Sequence, residues 1–434
     1  MKITEPAAVR AGFASWQKRI LITSIIGYAV YYFVRKNLSF AIPAMEHDLG
    51  IKKSSLGLFL TLHGVLYGIS KFANGFLGDR ANARAMMACG LFCSAVLNLC
   101  FGFSSTILAF GLFWMLNGWV QGMGFPPCAR LLTHWFPPKK LSTKMAIWNT
   151  SHSIGAGLIA VLCTQIVVYG WRLCFLVPAC IALVCVAFIW LTLPDTPPSV
   201  GLPEVEGTED HSPKRFARKD FGGVLLEKVF SNPYIWIVSI ANFFVYTLRY
   251  AIFDWGPSLL TEVKHIHITH AGGMLFAFEF SGLIGALLGG WMTEKFFKGR
   301  GARACVIYML LAGLSIFLFW KNPYSSEWLN TGLLCLAGFF IYGPQCLVGI
   351  IAANLATKKA AASAVGLTGL FAYASTILSG WGLGTLVEHR GWDTGFAGLL
   401  VVAGIGLVLF VAAWNAKADG YGEETVQAHG PAIQ

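Results

Sequence analysis

Apolar residues run in long blocks from one end of the chain to the other, separated by short polar turns. A helix that crosses a bilayer needs about 20 such residues. Blocks near 20–43, 56–78, 85–103, 107–129, 146–168, 172–193, 233–257, 270–292, 304–320, 328–353, 362–386 and 393–415 therefore predict twelve spans. The blocks are continuous rather than alternating, which argues against a lipid-facing β-barrel. The expected class is an all-α membrane protein. The first block reads as an uncleaved span: it is too long for a signal peptide and carries two cations.

The longest polar interruption is 194–232, and it contains the basic cluster Lys214-Arg215-Phe216-Ala217-Arg218-Lys219. Six blocks precede it and six follow. The expected organisation is an N-terminal six-helix half (1–193), a cytoplasmic connecting loop (194–232), a C-terminal six-helix half (233–416) and a cytoplasmic tail (417–434).

Composition agrees with the pattern: 56% of the 434 residues are hydrophobic and only 12% charged, about half the charge of a soluble domain. A net charge of +11 could mean a nucleic-acid partner, but its distribution argues otherwise. The outer loops hold Lys52, Lys53, Arg172, Lys264, Lys321 and Arg390, the spans hold Arg35, Lys36, Lys71 and Arg249, and the remaining 22 of 32 basic residues lie on the inner side. This is the positive-inside bias, and it puts both termini in the cytoplasm. The eleven cysteines lie mostly in apolar blocks without CxxC spacing and read as small buried hydrophobes, not a metal site.

The candidate chemistry is a set of charges inside the spans. A cation in hydrocarbon costs several kcal/mol unless it faces a wet cavity or a partner. Arg35, Lys36, Lys71 and Arg249 outnumber the intramembrane acids Asp254 and Glu279 by two. Unbalanced buried charge is costly, and a dianion entering a midplane cavity would balance it. Phosphate monoesters are such dianions near neutral pH, and the guanidinium fork matches their oxygens in pairs. At helical spacing, Tyr28, Tyr31 and Tyr32 share the face of Arg35, His63 and Tyr67 that of Lys71, and Asn242 and Tyr246 that of Arg249.

The halves also repeat. Gly75-Phe76-Leu77-Gly78-Asp79-Arg80-Ala81-Asn82-Ala83-Arg84 follows span 2, and Gly290-Trp291-Met292-Thr293-Glu294-Lys295 follows span 8. Arg35 and Arg249 are 214 residues apart, Asp79 and Glu294 215. A near-constant offset over matched pairs points to internal duplication.

The turn from Gly75 to Arg84 resembles the signature loop of the major facilitator superfamily. Tyr31-Tyr32-Phe33-Val34-Arg35-Lys36-Asn37, Tyr67-Gly68-Ile69-Ser70-Lys71-Phe72, Gln121-Gly122-Met123-Gly124-Phe125-Pro126-Pro127, Trp148-Asn149-Thr150-Ser151-His152 and Asp254-Trp255-Gly256 narrow the resemblance to the organophosphate:phosphate antiporter family, sugar-phosphate branch. The resemblance covers all twelve spans. It implies the major facilitator fold and phosphoryl binding by Arg35 and Arg249, assisted by Lys71 and His152. It also implies gating ion pairs of Lys36 with Asp254 and Glu279, and a cavity lined by Tyr28, Tyr32, Gln121, Tyr246 and Tyr373. Gly75, Gly78, Asp79, Arg80 and Arg84 are then a conformational loop without substrate contact. For His152 the alternative, a core histidine bonded to backbone, stands level.

There is no P-loop for ATP and no hydrolytic arrangement, so no enzyme and no cofactor is expected. His265, His267 and His270 read as a solvated loop rather than a metal site. The expected function is exchange of a sugar phosphate, hexose 6-phosphate, for inorganic phosphate by alternating access in a bacterial inner membrane. A second reading is a receptor for the same ligand that signals to a membrane histidine kinase. It is favoured by the absence of acid and base between Phe371 and Gly384, where hexose-phosphate carriers can have both. A proton symporter is a third reading, weakened by the lack of carboxylates in spans 1, 4 and 5.

Overall fold

A computed structural model describes residues 6–78, 81–205, 229–356 and 360–416. Among these residues the regular elements are all helical. In chain order they are α1 (Pro6–Phe33), α2 (Leu38–Leu49), α3 (Lys53–Gly78), α4 (Ala83–Phe103), α5 (Ile107–Gln121), α6 (Phe125–Trp135), α7 (Pro138–Asn149), α8 (Ser151–Ile166) and α9 (Leu173–Thr192). The second half has α10 (Pro233–Glu262), α11 (Ile268–Phe297), α12 (Gly301–Lys321), α13 (Glu327–Leu355), α14 (Ala361–Ala374), a π-helical turn (Ile377–Gly382) and α15 (Leu383–Ala412).

Nine segments among the described residues are long and apolar enough to cross a membrane unaided, where the sequence pattern predicts twelve spans. The difference has local causes. The first predicted span is divided between α1 and α2, and the fourth is cut into α5 and α6 at Gly122–Gly124. The last two predicted spans run together from Ser363 to Ala412, bent at Gly391, whose φ of 76° breaks the helical path.

The described residues fall into two compact units, 6–51 with 62–205 and 267–276, and 52–61 with 229–266 and 277–416. The seams lie inside α3 and α11, and the two exchanged ten-residue pieces, Lys52–Thr61 and His267–Phe276, are themselves 215 residues apart. That is the offset of the sequence repeat.

Within the first unit, Phe101, Phe110, Trp114, Trp171 and Phe175 form an aromatic core, with Phe101 and Phe175 stacked at 4.1 Å. The Asp195 carboxylate accepts from the Ala83 N–H at 2.7 Å and lies 3.5 Å from Arg130, which also donates to the Ala81 carbonyl. These contacts tie the start of α4 to α6 and to the segment after α9. Large apolar side chains such as Leu108, Val184 and Leu191 are exposed, as suits a protein whose solvent is lipid.

The feature that positions the site is the break between α1 and α2. Residues Val34–Asn37 leave the helix with no proline or glycine among them. Freed backbone groups inside a membrane must find partners within the protein, and here side-chain amides supply them. Asn98 and Asn117 both donate to the Val34 carbonyl, at 3.0 and 2.8 Å. Asn37 donates to Asn98 Oδ1 and to the Cys174 carbonyl, each at 2.8 Å. Gln121 donates to the Tyr31 carbonyl at 3.2 Å and to Ser94 Oγ at 2.7 Å, and Ser94 in turn donates to Asn117. Asn37, Asn98, Asn117 and Gln121 are all buried.

In the second unit, the first turns of α3 are held by acids and by the π turn. Ser54 N–H donates to Glu388 at 2.8 Å, and Lys53 pairs with Glu262 at 3.0 Å. Thr61 Oγ1 donates to the Thr376 carbonyl at 2.6 Å and accepts from the Trp381 N–H at 2.9 Å. The Trp255 indole donates to the Ser379 carbonyl at 2.9 Å.

Replacing Asn117 by Leu removes the amide from the Val34 carbonyl. An unmade buried hydrogen bond costs about 1–3 kcal/mol. The melting temperature of the detergent-solubilised Asn117→Leu protein is expected to fall by several degrees. A larger loss is expected for Asn98→Leu, which strips Asn37 of a partner as well.

Candidate functional site

Arg35 sits in the turn just beyond α1, 8% exposed. Its guanidinium carbon lies 3.6 Å from the centre of the Tyr67 ring and 5.1 Å from that of Tyr32. Tyr67 thus lies against the cation, whose N–H donors form a planar fork. Lys71, one turn along α3 from Tyr67, places its ammonium 4.0 Å from the centre of Phe125. Gly122 lets the α5–α6 break approach α3 here, since a Cβ on it would overlap Ser70 and the Lys71 backbone.

Around these cations the rings continue. Tyr28 packs against Tyr32 at 5.8 Å and Trp148 at 4.8 Å, and Phe125 packs against Trp148 at 5.4 Å. The His152 ring lies 6.0 Å from Tyr32 and is hydrogen-bonded through Nδ1 to the Asn149 carbonyl one turn back. The backbone bond is that of the core-histidine reading, and the ring stands beside Tyr32. Tyr28, Tyr32, Arg35, Tyr67, Lys71 and His152 form one aromatic and cationic cluster. Tyr31 packs on Tyr28 at 6.2 Å, and its hydroxyl donates to the Met87 carbonyl at 2.7 Å.

Gln121 also departs from expectation. The resemblance put it on the cavity wall, but its amide is spent on the Tyr31 carbonyl and Ser94 beneath the break. It supports Arg35 from below.

In the second unit Arg249 is 6% exposed on α10. Its Nε donates to the Tyr342 hydroxyl at 2.7 Å, and one terminal nitrogen reaches the two Glu279 carboxylate oxygens at 3.3 and 3.5 Å. Glu279, which the resemblance assigns with Asp254 to a gate with Lys36, is paired here with Arg249, its close neighbour within one unit. Asp254 is buried on α10, and Lys36 is half-buried beside Arg35. Tyr246 is half-buried and packs against Tyr250 at 5.5 Å, while Asn242 donates to the Thr368 carbonyl at 3.0 Å and so ties α10 to α14. Tyr373 is half-buried near the end of α14.

Of the signature loop, Asp79 and Arg80 lie outside the described residues. Gly78 is buried against Pro126, where a Cβ would come within 2.8 Å, while Gly75 has open space. The Arg84 guanidinium lies 4.9 Å from the Trp190 ring. Among the described residues no group of three or more His, Cys, Asp or Glu could hold a metal ion. The eleven cysteines are free.

Asn98, Asn117 and Tyr342 escape the sequence reading. A lone amide in an apolar block was the available signal for the first two, since polar groups inside a membrane are seldom idle. Tyr342 stands directly before Gly343-Pro344 within an apolar block.

The Major Facilitator Superfamily model matches residues 24–380. A probable hexose phosphate transport protein of Chlamydia trachomatis is 38% identical over 99% of this chain and 96% of its own. The membrane sensor protein UhpC of Salmonella typhimurium is 37% identical over 96% of each chain. Among solved structures, a bacterial homologue of the human lysosomal transporter Spinster, in an inward-facing and occupied conformation, superposes with a TM-score of 0.77 at 13% identity, covering 96% of this chain and 99% of its own. That likeness speaks to the fold. Taken with the cationic cluster and the repeat, these matches show that the chain is a multi-pass membrane protein that belongs to the Major Facilitator Superfamily, in its organophosphate:phosphate antiporter branch.

Proposed function

We propose that this protein exchanges a sugar phosphate, hexose 6-phosphate foremost, for inorganic phosphate across a bacterial inner membrane by alternating access. In this reading both termini are cytoplasmic, and two six-helix halves, 1–193 and 233–416, are joined by the loop 194–232. Arg35 and Arg249 are the guanidinium ligands of the phosphoryl group, with Lys71 and His152 assisting. Tyr28, Tyr32, Tyr67, Tyr246 and Tyr373 line the path, and Lys36 and Asp254 serve a gate.

The observation that carries the reading is the pair of buried arginines in different settings. Arg35 is stacked under Tyr67 in a cluster with Lys71. Arg249 already has a carboxylate. A dianionic ligand matches in charge the two neighbouring cations, Arg35 and Lys71. Glu279 then competes with the phosphoryl group for Arg249, which keeps binding there reversible. A site that must release its cargo on both sides benefits from such competition, because transport needs affinity that changes along the cycle. The name carried by one relative, a probable hexose phosphate transport protein, points the same way, while that of another, a membrane sensor protein, points to a second reading.

The sensor reading rests on that second relative and on the segment from Phe371 to Gly384, which has neither acid nor base. In it the same ligand binds without net passage, and a membrane histidine kinase reads the change of conformation. Purified protein in phosphate-loaded vesicles separates the two: saturable hexose 6-phosphate uptake coupled to phosphate efflux supports exchange, whereas saturable binding with no flux supports the sensor.

Arg35→Lys and Arg249→Lys keep the charge but lose the paired donors. Charge-assisted hydrogen bonds contribute about 1.5–3 kcal/mol each, so phosphate self-exchange is expected to drop by roughly 10- to 100-fold in either variant. Undiminished exchange in either one would falsify its assignment. Glu279→Gln removes the competitor of the ligand. Phosphate is expected to bind more tightly and to raise the melting temperature more than in the parent protein, while turnover falls. Weaker phosphate binding in this variant would show that Glu279 orders Arg249 instead of competing for it.

A further inference from the structure

His63 is a buried ionisable side chain that the reading above does not use. It lies on α3 four residues before Tyr67, hence on the same helical face, one turn of about 5.4 Å away. It is 6% exposed. Its ring stacks on Trp114 with centroids 4.9 Å apart, and Nδ1 lies 3.1 Å from the Trp114 carbonyl. Gly118 on α5 makes this approach possible, because a Cβ there would come within 2.6 Å of the His63 carbonyl oxygen. The ring is therefore held from two sides.

A carbonyl oxygen only accepts, so Nδ1 carries the proton. In the neutral imidazole Nε2 is then a bare acceptor. Nε2 is buried and has no hydrogen-bond partner. A buried acceptor left without a donor is destabilising, and such orphans call for an explanation. Arg35 and Lys71, the cations of the cluster, are donor-only groups matched to phosphoryl oxygens, which accept. The phosphoryl oxygens of a sugar-phosphate dianion carry no proton, and the dianion of inorganic phosphate keeps a single P–OH, on the group that the cations themselves hold. The organic moiety adds hydroxyls beyond that group, and each can donate.

We propose that His63 Nε2 accepts a hydrogen bond from a hydroxyl of the sugar moiety and so sets the preference for a polyol phosphate over inorganic phosphate. The proposal rests on the transport or sensor reading of the same site and adds the residue that tells its two anions apart. Phosphate charge is read by the arginines and Lys71. The carbon skeleton is read one helical turn further along α3.

The experiment is competition against radiolabelled phosphate bound to the purified full-length protein, with unlabelled phosphate, glucose 6-phosphate and its monodeoxy analogues as competitors. His63→Phe keeps the ring on Trp114 and removes both nitrogens. The ratio of glucose 6-phosphate to phosphate affinity is expected to fall by about 5- to 10-fold, the worth of a hydrogen bond between uncharged groups. In the parent protein one deoxy analogue is expected to bind that much more weakly than glucose 6-phosphate, and His63→Phe should abolish the difference. An unchanged affinity ratio overturns the proposal, as does a parent protein that binds all the deoxy analogues alike. The latter needs no variant, so a misfolded His63→Phe leaves the test intact. Parent protein that binds neither phosphate nor glucose 6-phosphate overturns the underlying reading instead.

Discussion

A guanidinium cannot be kept in hydrocarbon on a regular helix alone. It needs both a counter-charge and a backbone that holds it still. Here the second need is met by ending α1 two residues before Arg35. The freed Val34 carbonyl is handed to Asn98 and Asn117, and Asn37 closes the network. Everything around the cation follows from that break. Tyr67 can lie flat on the guanidinium because the turn brings Arg35 to α3. Tyr31 packs on Tyr28 and gives its hydroxyl to the Met87 carbonyl. Gln121 is occupied because one more carbonyl has to be satisfied. A polar network with this many mutual partners is rigid when complete and costly when any member is missing, so the position of Arg35 is over-determined.

The two units solve the same problem differently, although they descend from one repeat. Arg249 lies within an unbroken α10, and its charge is met by Glu279 and its Nε by Tyr342. In the first unit the arginine lies against π-faces and is held by a backbone turn. In the second it lies against a carboxylate and is held by a helix. Both arginines are buried, and their surroundings differ.

The sequence made the fold class legible because membrane spans are long, continuous and unmistakable in composition. It made Arg35, Lys71 and Arg249 legible for the same reason: a cation inside such a block stands out. Their aromatic neighbours followed from helical spacing, which held for Tyr28, Tyr32 and Tyr67. The end of α1 at Phe33 was not legible, because nothing in Val34–Asn37 signals it. Partner choice was harder to read. Glu279 was assigned by resemblance to Lys36, and its bond to Arg249 depends on how α10 and α11 pack, which no local pattern encodes. Gln121 shows the general difficulty. An amide serves a ligand or a backbone carbonyl equally well, and only the carbonyl's own need decides between them.

The π turn at Ile377–Gly382 carries a consequence of its own. A π turn accommodates one more residue than the α turn it replaces. Deleting a single residue there would let the helix close into regular α geometry while the turns on either side keep the faces they have now. Relatives that differ by a one-residue gap at this point would then present the same face of the span, so residues beyond the gap correspond by their place on the helix and not by their count from Tyr373.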